Sequence, residues 1–164
     1  MGKYILPHFD TLDPTSIDDC YEVEIEFNGR TIELDLNFEE ESTTAKSLDI
    51  VKKFINNLVE YDTYNLKSIK EDFDKGEAVR EYFEFHLENF GESHFSSLID
   101  NSNTLTPIME QLLNKVYLKR VGFYPDNDNQ FAVFDYTIGE KLTDYLIVVN
   151  LNKDGKVDYI CKES

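Results

Sequence analysis

Residues 21–38, YEVEIEFNGRTIELDLNF, decide the fold class. Tyr21, Val23, Ile25 and Phe27 alternate with Glu22, Glu24 and Glu26, and Ile32, Leu34, Leu36 and Phe38 alternate with Glu33, Asp35 and Asn37. Successive side chains of a strand point to opposite faces, so each run carries one apolar and one polar face. Asn28-Gly29 joins them, and a two-residue type I′ turn needs positive φ at both central positions, which Asn and Gly accept readily. The stretch reads as a β-hairpin of fixed register. Phe27 then faces Arg30, Ile25 faces Ile32, Val23 faces Leu34 and Tyr21 faces Leu36 on one side. On the other, Glu26 meets Thr31, Glu24 meets Glu33 and Glu22 meets Asp35.

Like charges directly opposed weaken a sheet by a few tenths to about 1 kcal/mol. Two such oppositions in one hairpin need a reason. A charged, solvated face blocks edge-to-edge aggregation. A cation from another strand, such as Lys119 or Arg120, would neutralise it. A docking surface for a basic partner would use it, and Glu22, Glu24, Glu26, Glu33 and Asp35 are the residues expected to carry that binding.

Outward from the hairpin, Tyr4 to Phe9 suggests a short strand that Pro7 confines to an edge. Leu48, Val51, Ile55, Leu58 and Val59 follow helical spacing over residues 43–60, with Ser42 to Thr44 supplying an N-cap. Leu66, Ile69 and Phe73 predict a second, shorter helix ending near Gly76. Val79, Tyr82, Phe83, His86 and Phe90 predict a third, stopped by Gly91. Thr106-Pro107 opens a fourth over Pro107 to Leu113, with Thr as cap and Pro in the first position. Strands return at Val116 to Tyr124, Phe131 to Ile138, Tyr145 to Leu151 and Lys156 to Cys161. The links PDNDNQ, GEKLTD and NKDG are turn-like and short, which favours an antiparallel meander. The expectation is a single α+β domain over residues 1–164: a β-hairpin, a helical middle, then a four-stranded antiparallel meander, with helices packed on one face of an antiparallel sheet.

Composition places the chain among acidic folded proteins. It has 33 Asp and Glu against 16 Lys and Arg, a formal net charge of −17 over 164 residues. Its 12 Phe and 10 Tyr set it apart from a disordered acidic chain, which is poor in aromatics. Residues 1–42 alone carry 12 of the acids and 2 of the bases. This balance argues against nucleic acid or an anionic membrane as partner, and for a basic protein. No run of 18 apolar residues occurs, and MGKYILPHFD lacks the apolar stretch of a secretion signal, so a cytoplasmic location is expected. Leu6 stands where a myristoylation signal needs Ser or Thr. In a reducing compartment Cys20 and Cys161 are expected to be free thiols.

No catalytic set stands out, and neither a cofactor nor a metal is implied. His86 lies on the apolar stripe of the third helix and reads as a core histidine before it reads as a ligand. His86 and His94 are eight residues apart across Gly91, which is not metal-ligand spacing on one helix. Asp18-Asp19 beside Cys20 disfavours the thiolate that a nucleophile needs. Asp126-Asn127-Asp128-Asn129 has half the composition of a calcium loop but lacks its Gly and its Glu, and reads as a hairpin loop. Phosphate-binding glycine loops and G-x-S-x-G are absent.

The segments YILPHF, YEVEIEFNGRTIELDLNF and VGFYPDNDNQFAVFDYTIGEKLTDYLIVV resemble a family of small bacterial proteins known only as a domain of unknown function. The resemblance implies a bacterial, cytoplasmic protein and assigns no functional residue. In size and acidity the chain is also similar, as a class, to the immunity proteins of bacterial toxin systems. The first expectation is a non-catalytic protein-binding module, an immunity-type inhibitor or adaptor. The alternatives are an enzyme or metal-binding protein using His86, His94 and nearby acids, and a homo-oligomeric structural protein that pairs through an exposed strand edge.

Overall fold

The structure, a computed structural model, describes residues 2–164. It is an α+β fold built on a six-stranded sheet with a separate two-stranded hairpin. Strands β1 (Tyr4–Leu6) and β2 (Asp10–Leu12) form that small hairpin. The expected single strand over Tyr4–Phe9 therefore ends before Pro7. The chain reverses through His8 and Asp10, both at positive φ, and pairs back on itself. The long hairpin is β3 (Cys20–Phe27) and β4 (Arg30–Asn37), and its register is the expected one at every position from Tyr21↔Leu36 to Phe27↔Arg30. Asn28 and Gly29 supply the positive φ angles, 49° and 77°.

The helical middle contains α1 (Ala45–Asn56), α2 (Leu58–Lys75) and α3 (Ala78–Phe90), a 3₁₀ turn at Glu92–Phe95, and α4 (Ile108–Leu113). Thr44 caps α1 by accepting a hydrogen bond from the Ser47 amide. The first helix is shorter than expected, because the chain breaks at Asn57 (φ −124°, ψ 29°). The second is correspondingly longer, 18 residues, and stops at Gly76 in the left-handed region. The buried stripe of α2 is Leu58, Asp62, Asn65, Ile69 and Phe73. Two polar residues interrupt it, which hid its first half from a hydrophobic pattern. At α4 the cap falls on Pro107 rather than Thr106, with no side-chain hydrogen bond.

Strands β5 (Tyr117–Phe123), β6 (Ala132–Thr137), β7 (Leu146–Leu151) and β8 (Val157–Glu163) follow in sheet order and pair antiparallel in turn. One pairing corrects the expected all-antiparallel sheet: β4 and β5 run parallel, with Leu34↔Val121 and Leu36↔Phe123 in register. The whole helical middle intervenes between them, long enough for the crossover that a parallel pair requires. The sheet is mixed, in the order β3-β4-β5-β6-β7-β8.

The helices lie on the apolar face. Phe54 of α1 packs against Phe123 and Phe131, Tyr61 of α2 against Phe134, and Tyr82 of α3 donates to the Tyr145 carbonyl. Leu34, Leu36, Val121, Phe123, Phe134 and Tyr136 are all 0% exposed beneath them. That layer outweighs the self-repulsion of an acidic chain.

Candidate functional site

Strand alternation puts every residue in register with the hairpin glutamates on the second face. One row across the sheet is Glu24, Glu33, Arg120, Asp135, Val148 and Cys161; the next is Glu22, Asp35, Gly122, Val133, Asn150 and Tyr159. The helix aromatics Phe54, Tyr61 and Tyr82 pack on the other side; this second face is exposed at its hairpin glutamates and buried at Asp35, Asp135, Val148 and Asn150. Its β3 edge is acidic: Glu22, Glu24, Glu26 and Glu33 are exposed side by side. Among the described residues, Glu22, Glu24 and Glu26 form no ion pair, and Glu33 reaches only Arg120, at 3.8 Å. Burial, then Asp35 and Glu22 nearby, push the Glu33 carboxyl above its usual range.

Asp35 differs from the four glutamates. It is buried and receives two hydrogen bonds from the Arg120 guanidinium, from Nε at 2.6 Å and from Nη2 at 2.7 Å. Nη1 of Arg120 donates to Asp135 at 3.0 Å, and Nη2 also meets the Tyr124 hydroxyl at 3.0 Å. All three guanidinium nitrogens are thus engaged. Burial opposes the Arg120 charge, but the Asp35 and Tyr124 bonds keep it firmly protonated. Burial also raises the Asp135 carboxyl, with Arg120 acting against the rise. Of the two cations considered from sequence, Arg120 neutralises Asp35, while Lys119 sits at the β5 irregularity and pairs with Glu140 at 3.9 Å.

Gly122 makes this arrangement possible. A Cβ there would lie 2.5 Å from Nη2 of Arg120 and 3.1 Å from an Asp35 oxygen. The Arg120 side chain crosses the strand over the missing Cβ to reach Asp35. Beside it a cleft of about 620 Å³ opens between the β4–β5 end and strands β6 to β8. Asn37, Tyr124, Asp135, Asn150, Tyr159 and Glu163 are among its walls. Sequence reasoning missed this cleft, because its rows come from strands brought together by the parallel pairing.

The histidine alternative meets a different geometry. His86 is 0% exposed, with Nδ1 2.6 Å from the Tyr82 carbonyl and Nε2 2.8 Å from the Thr143 hydroxyl. The carbonyl can only accept, so Nδ1 carries the proton and Nε2 accepts from Thr143. His94 is exposed and turns its Nε2 to the Leu142 carbonyl. Both histidines pack against Phe90 and Phe95. No group of three His, Cys, Asp or Glu able to hold a metal occurs among the described residues. Cys20 and Cys161 are free thiols, both raised in pKa by burial and then by nearby carboxylates. Asp126 accepts from the Glu39 amide at 2.7 Å, and Asn127 accepts from the amides of Asn129 and Gln130, the geometry of a hairpin loop.

Against family models, curated proteins and solved structures, the chain returns no match. Among the described residues, no helix is long and apolar enough to cross a membrane.

Proposed function

We propose that the chain is a non-catalytic protein-binding module, an immunity-type inhibitor or adaptor, that captures a basic partner on the second face of its sheet. The observation that carries this reading is the exposed, cation-free strip of Glu22, Glu24 and Glu26 with Glu33 opposite Glu24. Fold stability gains nothing from opposing two glutamates, whereas a partner's lysines and arginines would. Asp35 supports the strip from below through Arg120 rather than by contact. Negative charge concentrated on one face raises the association rate with a basic surface and makes that rate fall with salt. A nuclease toxin, with a basic cleft for its substrate, is the class of partner that such a face would fit.

The test is capture from bacterial lysate at low salt on immobilised protein, with salt-step elution and identification of what elutes. The reading expects a basic protein that is retained by the native chain and lost from the Glu24→Lys/Glu33→Lys variant. Equal retention by both would remove the acidic strip from the binding.

A further inference from the structure

We propose that the cleft beside Arg120 is a receptor for one arginine side chain of the partner, a deepening that rests on the protein-binding reading above. Four observations point to it. First, the cleft is acidic, and its own cation is largely committed within the chain. Glu39, Asp126, Asp135 and Glu163 line it, Arg120 is the one Lys or Arg among its described lining residues, and each guanidinium nitrogen of Arg120 already donates within the chain. An anion would find four carboxylates and a single uncommitted N–H of Arg120, the second one on Nη1. A cation finds the reverse.

Second, Asn150 lines the cleft at 4% exposure, and its side-chain oxygen has no hydrogen bond among the described residues. Its amide group donates to the Tyr159 carbonyl at 3.5 Å and also bonds the Cys161 thiol. A carboxamide oxygen with no donor from the protein is free to accept one from a ligand. Third, Asp135 uses one oxygen for Arg120, leaving the other without a hydrogen bond among the described residues. Fourth, Tyr124 and Tyr159 stand in the wall, and Tyr159 is 43% exposed. A planar guanidinium stacks on such rings while its five N–H groups fork between carboxylates and an amide oxygen; an ammonium offers a point charge with no plane. The 620 Å³ of the cleft has room for that side chain and its flanking backbone.

The hairpin strip and the cleft then divide the work. The strip attracts a basic surface from a distance, and the cleft selects the residue that anchors it. Central pockets that take one arginine or aromatic side chain dominate many interfaces, while rim charges act mainly on rate.

The probe is N-acetyl-arginine amide, titrated into ¹⁵N-labelled protein and followed by amide chemical shifts, with N-acetyl-lysine amide as comparator. Saturable shifts are expected at Val133, Asn150, Tyr159 and Glu163, with the arginine compound binding about fivefold tighter than the lysine compound. Glu163→Gln and Tyr159→Ser, both at exposed side chains, should each weaken it about threefold or more at unchanged melting temperature. The Glu24→Lys/Glu33→Lys variant should titrate as the native chain does. Absence of saturable shifts, equal affinity for the two compounds, or shifts centred on Glu22 to Glu26 would overturn the proposal. Loss of the arginine site with basic-partner capture intact would sink the cleft alone. An intact arginine site with partner capture indifferent to Glu24 and Glu33 would sink the acidic-strip reading instead.

Discussion

Arg120 grips Asp35 across a parallel strand pair, with Nε and Nη2 each bonded to a separate carboxylate oxygen. The two residues are not in register. Arg120 is level with Glu33, and Asp35 is level with Gly122. The guanidinium therefore reaches one row along the sheet, leaving Glu33 the looser contact and Asp35 the tight one. This choice keeps the hairpin glutamates free while fixing the β4–β5 seam, the one parallel pairing in the sheet.

Removing the cation should expose that dependence. Arg120→Leu leaves Asp35 and Asp135 buried without a counter-charge, and stripping one partner from such a network costs about 3 kcal/mol. Chemical denaturation is expected to show that loss. Asp35→Asn in the Arg120→Leu background should recover part of it, because the amide carries no charge to desolvate. Additive effects of the two substitutions would mean that the pair is not coupled.

Gly122 should tolerate even Ala badly. Its Cβ would lie where Nη2 of Arg120 sits, and Asp35 closes the other side. Either the guanidinium moves or the strand does, at about 1–3 kcal/mol. Gly122→Ala is expected to lower the unfolding midpoint, and to lower it much less when Arg120 is already Leu.

Local signals made most of the fold legible. The Asn28-Gly29 turn fixed β3 against β4 residue by residue, because turn type and alternation are both local. Gly76 and Gly91 stopped their helices for the same reason. Two things were illegible. One was the first half of α2, whose buried stripe contains Asp62 and Asn65 in place of apolar residues. Asp62 is held there by the Tyr136 hydroxyl at 2.8 Å, a partner 74 residues away that no periodicity reveals. The other was the parallel seam. Nothing local tells β4 to pair with β5, so the cleft that depends on it was invisible, although Arg120 had been singled out as a cation able to reach the hairpin.

His86 should impose a pH dependence on stability. Burial pushes its pKa below the usual 6.5, against the pull of the Tyr82 carbonyl, while Lys162 and His94 push further in the same direction. The unfolded chain thus takes up a proton before the folded one does. The stability that His86 contributes is full above about pH 6.5 and is lost as pH falls toward the folded value. His86→Gln keeps a polar group between Tyr82 and Thr143 but cannot titrate. Denaturation across that window should show a shallower fall for the variant, and an unchanged slope would deny His86 the role.

Asp62 has the opposite sign. Burial raises its carboxyl above 3.8, with the Tyr136 hydroxyl bond acting against the rise. The folded chain binds the proton more tightly, so stability from this group declines as pH rises through its folded value. Asp62→Asn keeps an oxygen to accept from Tyr136 and removes the charge. Its stability relative to the native chain should climb as pH rises above the ordinary carboxylate value of about 4. A difference that stays flat as pH rises would show that the Asp62 charge carries no burial penalty.

Glu24 offers the sharpest separation of fold from function. It stands directly opposite Glu33, whose carboxyl is already raised by burial and by Asp35 and Glu22. Glu24→Lys turns a repulsive cross-strand pair into an attractive one, on an exposed face where nothing else must move. The hairpin should gain about 0.5 kcal/mol, a gain that shrinks as salt is added. Retention of a basic partner should fall in the same variant, with the association rate affected more than the dissociation rate. A chain that becomes more stable and binds less well has kept its glutamates for the partner. If Glu24→Lys instead left binding unchanged while stabilising the fold, the acidic strip would be a solvated edge that keeps other strands away.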